Sequence, residues 1–314
     1  MNKKKIFYKT ISFLIILIIL FFLGRGLVNN WQKVKDYDFS FNYFYLILSF
    51  ISIIIGIVIH GFIWNALLRR IEPEKRMSNF KALKFFVYSW FGRYVPGKAW
   101  MYLGRIYFGA KEGFSKKSLS LSVVYEIILS ISSAFLISFL ILIPIFGSNF
   151  LGLVHDVNIF FILIIIFAFL ILIHPKIFGW FFNLLLKILK QDISFEKYLG
   201  YWSIIRIIIY YFISFIFNGI GFFLLVKSVT DISFSAIIGT IGIFNLASVL
   251  GIIALFAPSG LGVREGFLIL FMQAYLPLSV VIVISLIARI WATIAEALVF
   301  LCVYSISKIN LNKK

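Results

Sequence analysis

The chain has 314 residues, of which 62% are hydrophobic and 13% charged, with a mean hydropathy of +1.05. Soluble domains carry roughly 25% charged residues to keep their surfaces wet, so a soluble enzyme or binding module is excluded and a polytopic membrane protein is indicated. The formal charge of +18 would suggest nucleic acid in a soluble chain. Here it sits mostly in short loops between apolar runs, where it sets topology and attracts anionic lipid head groups, so no nucleic-acid partner is expected.

The N-terminus carries Lys3, Lys4, Lys5 and Lys9 and leads into an apolar run from Ile11 to Phe22. No small-x-small cleavage site follows, so this reads as an uncleaved first span. A full span needs roughly 20 apolar residues, and about six segments are placed, near 11–27, 43–68, 118–146, 158–174, 204–227 and 279–305. Loop 69–84 holds Arg69, Arg70, Lys75, Arg76, Lys81 and Lys84, whereas 147–157 has no Lys or Arg. The positive-inside rule then puts both termini, 69–84, 109–117 and 175–203 in the cytoplasm of an inner-membrane protein. Residues 175–198 mix lysines with Phe178, Trp180 and several leucines, which suits an interfacial amphipathic helix and equally an overhanging end of the fourth span.

Two regions remain, 80–110 and 234–276. Each has an apolar stretch, a Pro/Gly break and a second stretch of about 10–12 residues, too short to span. With the loops oriented as above, the first enters and leaves on the cytoplasmic side and the second on the outer side. They are expected as opposed re-entrant hairpins meeting near the midplane; the alternative is eight shorter helices. Second spans near 43 and 204, prolines at 96 and 258, and following spans near 118 and 279 repeat at an offset of about 161 residues. The first spans fit less well. The expected architecture is thus an all-α membrane protein with one integral domain, 1–314, built from inverted halves 1–146 and 147–314.

The breaks carry the chemistry. Backbone N–H groups at a helix N-terminus favour an anion, and Pro96 with Gly97 would open one such helix, Gly262 through Gly266 the other. Near those breaks lie Arg93, Lys98, Arg105, Arg264 and Arg289 against Glu126, Glu265 and Glu296. A charge at the bilayer centre costs about 2.5–3.5 kcal/mol, so an excess of cations points to an anionic guest, and arginine forks match phosphate oxygens. For Lys98 and Arg105 a snorkelling role at the interface stays open. Arg289 and Glu296 share one face of the last span. Asn218 and Asn245 read as helix–helix contacts, and His60 as an interhelical donor.

Other chemistry is sparse. The single cysteine, Cys302, excludes an intramolecular disulfide and a cysteine-rich metal site. His60, His155 and His174 are too scattered for a metal cluster, and no Gly-x-x-x-x-Gly-Lys-Ser/Thr loop is present. No cofactor is expected. Asp36-Tyr37-Asp38 in the first outer loop is a weak metal or base motif of the kind membrane glycosyltransferases carry, and it also offsets Lys33 and Lys35.

Arg93-Tyr94-Val95-Pro96-Gly97-Lys98, followed by Pro258-Ser259-Gly260-Leu261-Gly262-Val263-Arg264-Glu265-Gly266, resembles the lysylphosphatidylglycerol synthase transmembrane, flippase-like family, and the apolar profile agrees along nearly the whole chain. The resemblance implies a helical lipid-flippase domain, with its two motifs falling on Arg93, Pro96, Gly97 and Lys98 and on Pro258, Gly260, Gly262, Arg264 and Glu265. In the synthase this domain is fused to a cytosolic aminoacyl-transfer domain, of which these residues hold no counterpart. The expectation is a transporter, not an enzyme, moving an anionic lipid or lipid-linked saccharide phosphate between leaflets, with Glu126, Glu265 and Glu296 holding the arginines or taking up protons. The alternatives are a membrane glycosyltransferase or lipid-modifying transferase using Asp36 and Asp38, and a scaffold for a partner synthase or glycosyltransferase.

Overall fold

Three of the helices begin where a small polar residue takes over unpaired N–H groups of the first turn. The computed structural model describes residues 41–94, 99–147, 199–255 and 257–312. The spans expected at 11–27 and 158–174, the segment 175–198, Asp36, Asp38, Pro96, Gly97 and Lys98 lie outside the described residues. Among those described, eight α-helices and no strands form: α1 Tyr43–Ile71, α2 Asn79–Trp90, α3 Ala99–Lys111, α4 Lys116–Phe146, α5 Tyr201–Val229, α6 Ile237–Ile253, α7 Val263–Met272 and α8 Leu278–Asn312. Asn42 Oδ1 accepts from the N–H of Phe44 at 3.1 Å, Ser78 Oγ from Lys81 at 3.2 Å and Ser115 Oγ from Ser118 at 3.0 Å. These three caps set the starts of α1, α2 and α4.

Helices α1, α4, α5 and α8 are each long and apolar enough to cross a membrane, and they coincide with four of the expected spans. The 20 residues Phe234–Ile253 form a fifth candidate span. That segment was expected only as one arm of a hairpin. The difference arises because a 3₁₀ turn, Phe234–Ala236, runs directly into α6 and lengthens it.

Helices α1 and α5 make the most extensive pair. They run antiparallel, and small side chains bring them close: Ser52 Oγ donates to the Phe217 carbonyl at 2.6 Å and Ser214 Oγ to the Gly56 carbonyl at 3.0 Å. Lipid-embedded helices associate through such contacts, since hydrophobicity alone gives them no preference for one another over lipid.

Two helix–turn–helix hairpins, the second with the long α6 as one arm, pack beside this pair. The first is α2, a 3₁₀ turn at Phe91–Tyr94, and α3. Its ends lie together, because Lys81 pairs with Glu112 at 2.6 Å and Ser115 N–H donates to Glu72 at 3.2 Å. The second is α6, a break over 254–262, and α7. It opens at the opposite end of the molecule, where Asn42 N–H bonds the Ser228 carbonyl at 2.8 Å and the Phe146 ring meets Tyr275. The two turns touch between them, at Phe91–Tyr94 and Pro258–Gly260.

Candidate functional site

Where the turns meet, a cavity of about 170 Å³ opens. Its walls come from the middle of every long helix: Ile57 of α1, Ile131 of α4, Phe215 of α5 and Ala292 of α8. A point central to four helices of spanning length lies near the centre of the bilayer they would cross. Most of the wall is apolar. The polar groups come from the breaks and the start of α7, with Arg93, Ser259 and Arg264, and from the long helices, with Glu126, Asn218 and Glu296.

The second break is shaped by its glycines. Gly260 and Gly262 hold φ of +71° and +81°, a region that side chains with a Cβ avoid. Ser259, between Pro258 and Gly260, also has a positive φ of 52° and is the sole non-glycine so placed among the described residues. Strain of this kind persists where the surroundings hold it, commonly at sites that bind or switch. Gly262 ends the break and caps α7.

The expected open helix N-terminus is nevertheless closed. Gly262 N–H donates to Glu265 Oε2 at 2.6 Å, so a carboxylate from the first turn of α7 already satisfies it. A glutamate three residues past the cap commonly does this. The counterpart at Pro96–Gly97 lies outside the described residues.

The charges sort into pairs. Arg105 binds Glu126, Arg289 Nη1 binds Glu265 Oε1 at 2.8 Å, and Arg93 Nη2 binds Glu296 Oε1 at 2.5 Å. Arg105 is completely buried, with Phe86 and Tyr102 rings stacked about it. It does not snorkel to the interface, because its acid partner and its ring cage both lie inside. Arg289 and Glu296 do share a face of α8, yet each holds a different hairpin. Tyr94 adds a hydroxyl bond to Glu296 at 3.0 Å.

Each of the three acids thus takes one arginine. Arg264 is left. Its guanidinium lies 4.8 Å over the Phe244 ring, lines the cavity, and keeps Nε and Nη2 buried without a hydrogen-bond partner. No carboxylate stands within ion-pair distance of it among the described residues. Two further lining residues carry buried, unpartnered donors, Trp90 Nε1 and Arg93 Nε. Unsatisfied donors from α2, its turn and α7 therefore surround one mid-depth space. Acceptors of an anion would complete them.

Several lining groups were not singled out from sequence. Trp90 stands one helical turn before Arg93, a spacing that could have flagged it; Phe244 is one of 38 phenylalanines and nothing distinguished it. His60 was expected as an interhelical donor; its ring faces the cavity, edge-on to Tyr211 and Phe215. Asn245 does join helices, donating to the Phe215 carbonyl at 3.0 Å. Asn218 of α5 packs against Gly56 of α1 and also lines the cavity, with Oδ1 buried and unpartnered.

Compared with known families, the chain matches over residues 9–299 the family described as lysylphosphatidylglycerol synthase TM region. Among curated proteins, none matches the chain.

Proposed function

The chain belongs to the lysylphosphatidylglycerol synthase transmembrane-region family, and from that premise we propose that it is a transporter moving an anionic lipid, or a lipid-linked saccharide phosphate, between the leaflets of the inner membrane. The observation that carries this reading is the Arg264 guanidinium in a cavity at mid-depth, with Nε and Nη2 buried and without a hydrogen-bond partner. An uncompensated charge there costs about 2.5–3.5 kcal/mol. A bound phosphate removes that cost.

In this reading the phosphate oxygens accept from Arg264 Nε and Nη2, with Trp90 Nε1 and Arg93 Nε closing the other side. Pro96, Gly97 and Lys98 follow Arg93 in the same sequence motif and would add to its binding of the phosphate. Glu126, Glu265 and Glu296 hold Arg105, Arg289 and Arg93 and so fix the donors before the ligand arrives. The acyl tails remain in the bilayer while the head group crosses. The two hairpins are re-entrant, and the halves 1–146 and 147–314 form an inverted repeat that rocks about the cavity. Both termini face the cytoplasm, as the loop lysines and arginines favour.

The test is leaflet exchange in proteoliposomes, with fluorescent phosphatidylglycerol and a polyprenyl phosphate analogue compared with a zwitterionic lipid. Faster exchange of the anionic lipids is expected for the wild type and not for Arg264→Gln. Equal exchange by the folded variant would remove Arg264 from the mechanism. Absence of exchange for every lipid would remove the transporter.

A further inference from the structure

A groove separate from the central cavity, with no lining residue in common, runs along the α1–α5 pair and encloses about 420 Å³. Its floor is apolar, from Ile59, Phe62, Ile63 and Ala66 of α1 and Ile213 of α5; its mouth is polar, from Arg69, Arg70 and Asn79. Ile59 to Arg70 rises roughly 16 Å at 1.5 Å per residue, which is about half the thickness of a hydrocarbon core. The groove therefore reaches from near mid-depth to one interface. That end carries the basic 69–84 loop, which the positive-inside rule assigns to the cytoplasm.

The mouth holds cations without anions. Arg69 Nη2 donates to the Met77 carbonyl at 2.9 Å and to Asn79 Oδ1 at 3.2 Å, and Arg70 Nη1 donates to the Ala66 carbonyl at 3.0 Å. These acceptors are neutral and leave both charges uncancelled. Arg206 of α5 is not part of the groove's lining, but it is exposed on the neighbouring helix, one turn before the lining residue Tyr210, and within electrostatic reach of Arg70. None of the three joins an ion pair among the described residues. The C-terminal end of α1 accounts for Arg70, since a helix dipole favours a cation there. It does not account for Arg206, which stands near the N-terminal end of α5 and gains nothing from that helix.

We propose that this groove is a second lipid site, holding one anionic phospholipid of the cytoplasmic leaflet. The phosphate sits at the groove's mouth against Arg70, with Arg206 reaching it from the neighbouring helix as a second cation. One acyl chain follows the floor past Phe62 to Ile213. The lipid is held at the side of the molecule and is not the transported one.

Native mass spectrometry of the purified, delipidated full chain tests this, with phosphatidylglycerol and phosphatidylcholine of identical acyl chains as probes. Preferential retention of phosphatidylglycerol is expected to persist in R264Q, where the central site is removed, falling roughly tenfold in R264Q/R70Q/R206Q and returning in R264Q/R70K/R206K. An undiminished preference in R264Q/R70Q/R206Q, or none in R264Q, overturns the site. Displacement of the bound lipid by millimolar inorganic phosphate would make the ligand a free anion and overturn the lipid assignment. Loss of exchange in R264Q with the groove preference intact keeps this site distinct from the transport reading.

Discussion

Arg105 is fully buried and Arg264 half-buried, with Nε and Nη2 out of reach of solvent, and the two are satisfied in opposite ways. Arg105 has Glu126 and a cage of rings, so its charge is compensated within the protein. Removing the acid alone leaves the cation stranded, which typically costs 3–5 kcal/mol. Glu126→Gln should therefore lower the thermal midpoint of the detergent-solubilised protein markedly, while R105M/E126M, which removes both charges, should lower it far less. Arg264 has no acid, and its unpartnered Nε and Nη2 already bear the cost. Arg264→Gln should leave ligand-free stability unchanged or raise it by about 1–3 kcal/mol, although exchange is lost. Opposite signs in one melting series separate a structural arginine from a binding one; a large destabilisation of R264Q would make Arg264 structural.

At the scale of elements, the breaks explain what was readable in the sequence. Pro258 and the glycines after it interrupt an apolar run, and helix α6 ends just before that break. The spans at α1, α4, α5 and α8 were legible because a helix crossing lipid must be apolar on every side. What the breaks do to one another was not legible. Glu265 turning back onto Gly262 depends on which glycine caps α7, and the pairing of Arg93 with Glu296 depends on packing between segments far apart in the chain. The three motif glycines also differ. A Cβ on Gly260 would stand 2.8 Å from the Gly251 backbone, on a residue with φ of +71°, whereas one on Gly266 would meet nothing within 4 Å. Gly260→Ala should destabilise by roughly 1–3 kcal/mol and slow exchange. Gly266→Ala, inside a helix, should be tolerated or slightly stabilising. Melting curves and exchange rates for the pair check this; equal behaviour would mean the break relaxes freely.

Across the whole molecule the ion pairs form a pattern. Arg105–Glu126 ties α3 to α4 and Glu265–Arg289 ties α7 to α8, so each hairpin is fastened to the long helix that follows it, with the charges exchanged between the two. Arg93–Glu296 is of another kind, because it joins the turn of the first hairpin to α8 beside the cavity. Helix α8 thus grips both hairpins from one face, two turns apart. If the first hairpin and α8 move relative to one another during transport, this contact must break and re-form, and its strength sets the balance between conformations. Arg93→Glu alone places two acids together, and Glu296→Arg alone two cations; each should abolish exchange. The double exchange, R93E/E296R, restores the attraction in reverse and should regain much of the stability. It moves the cation from the turn to α8 while leaving Arg264 in place, so partial recovery of exchange is expected. Recovery of stability without any exchange would show that Arg93 acts on the lipid directly, through its unpartnered Nε, and not only as a tie between the first hairpin and α8.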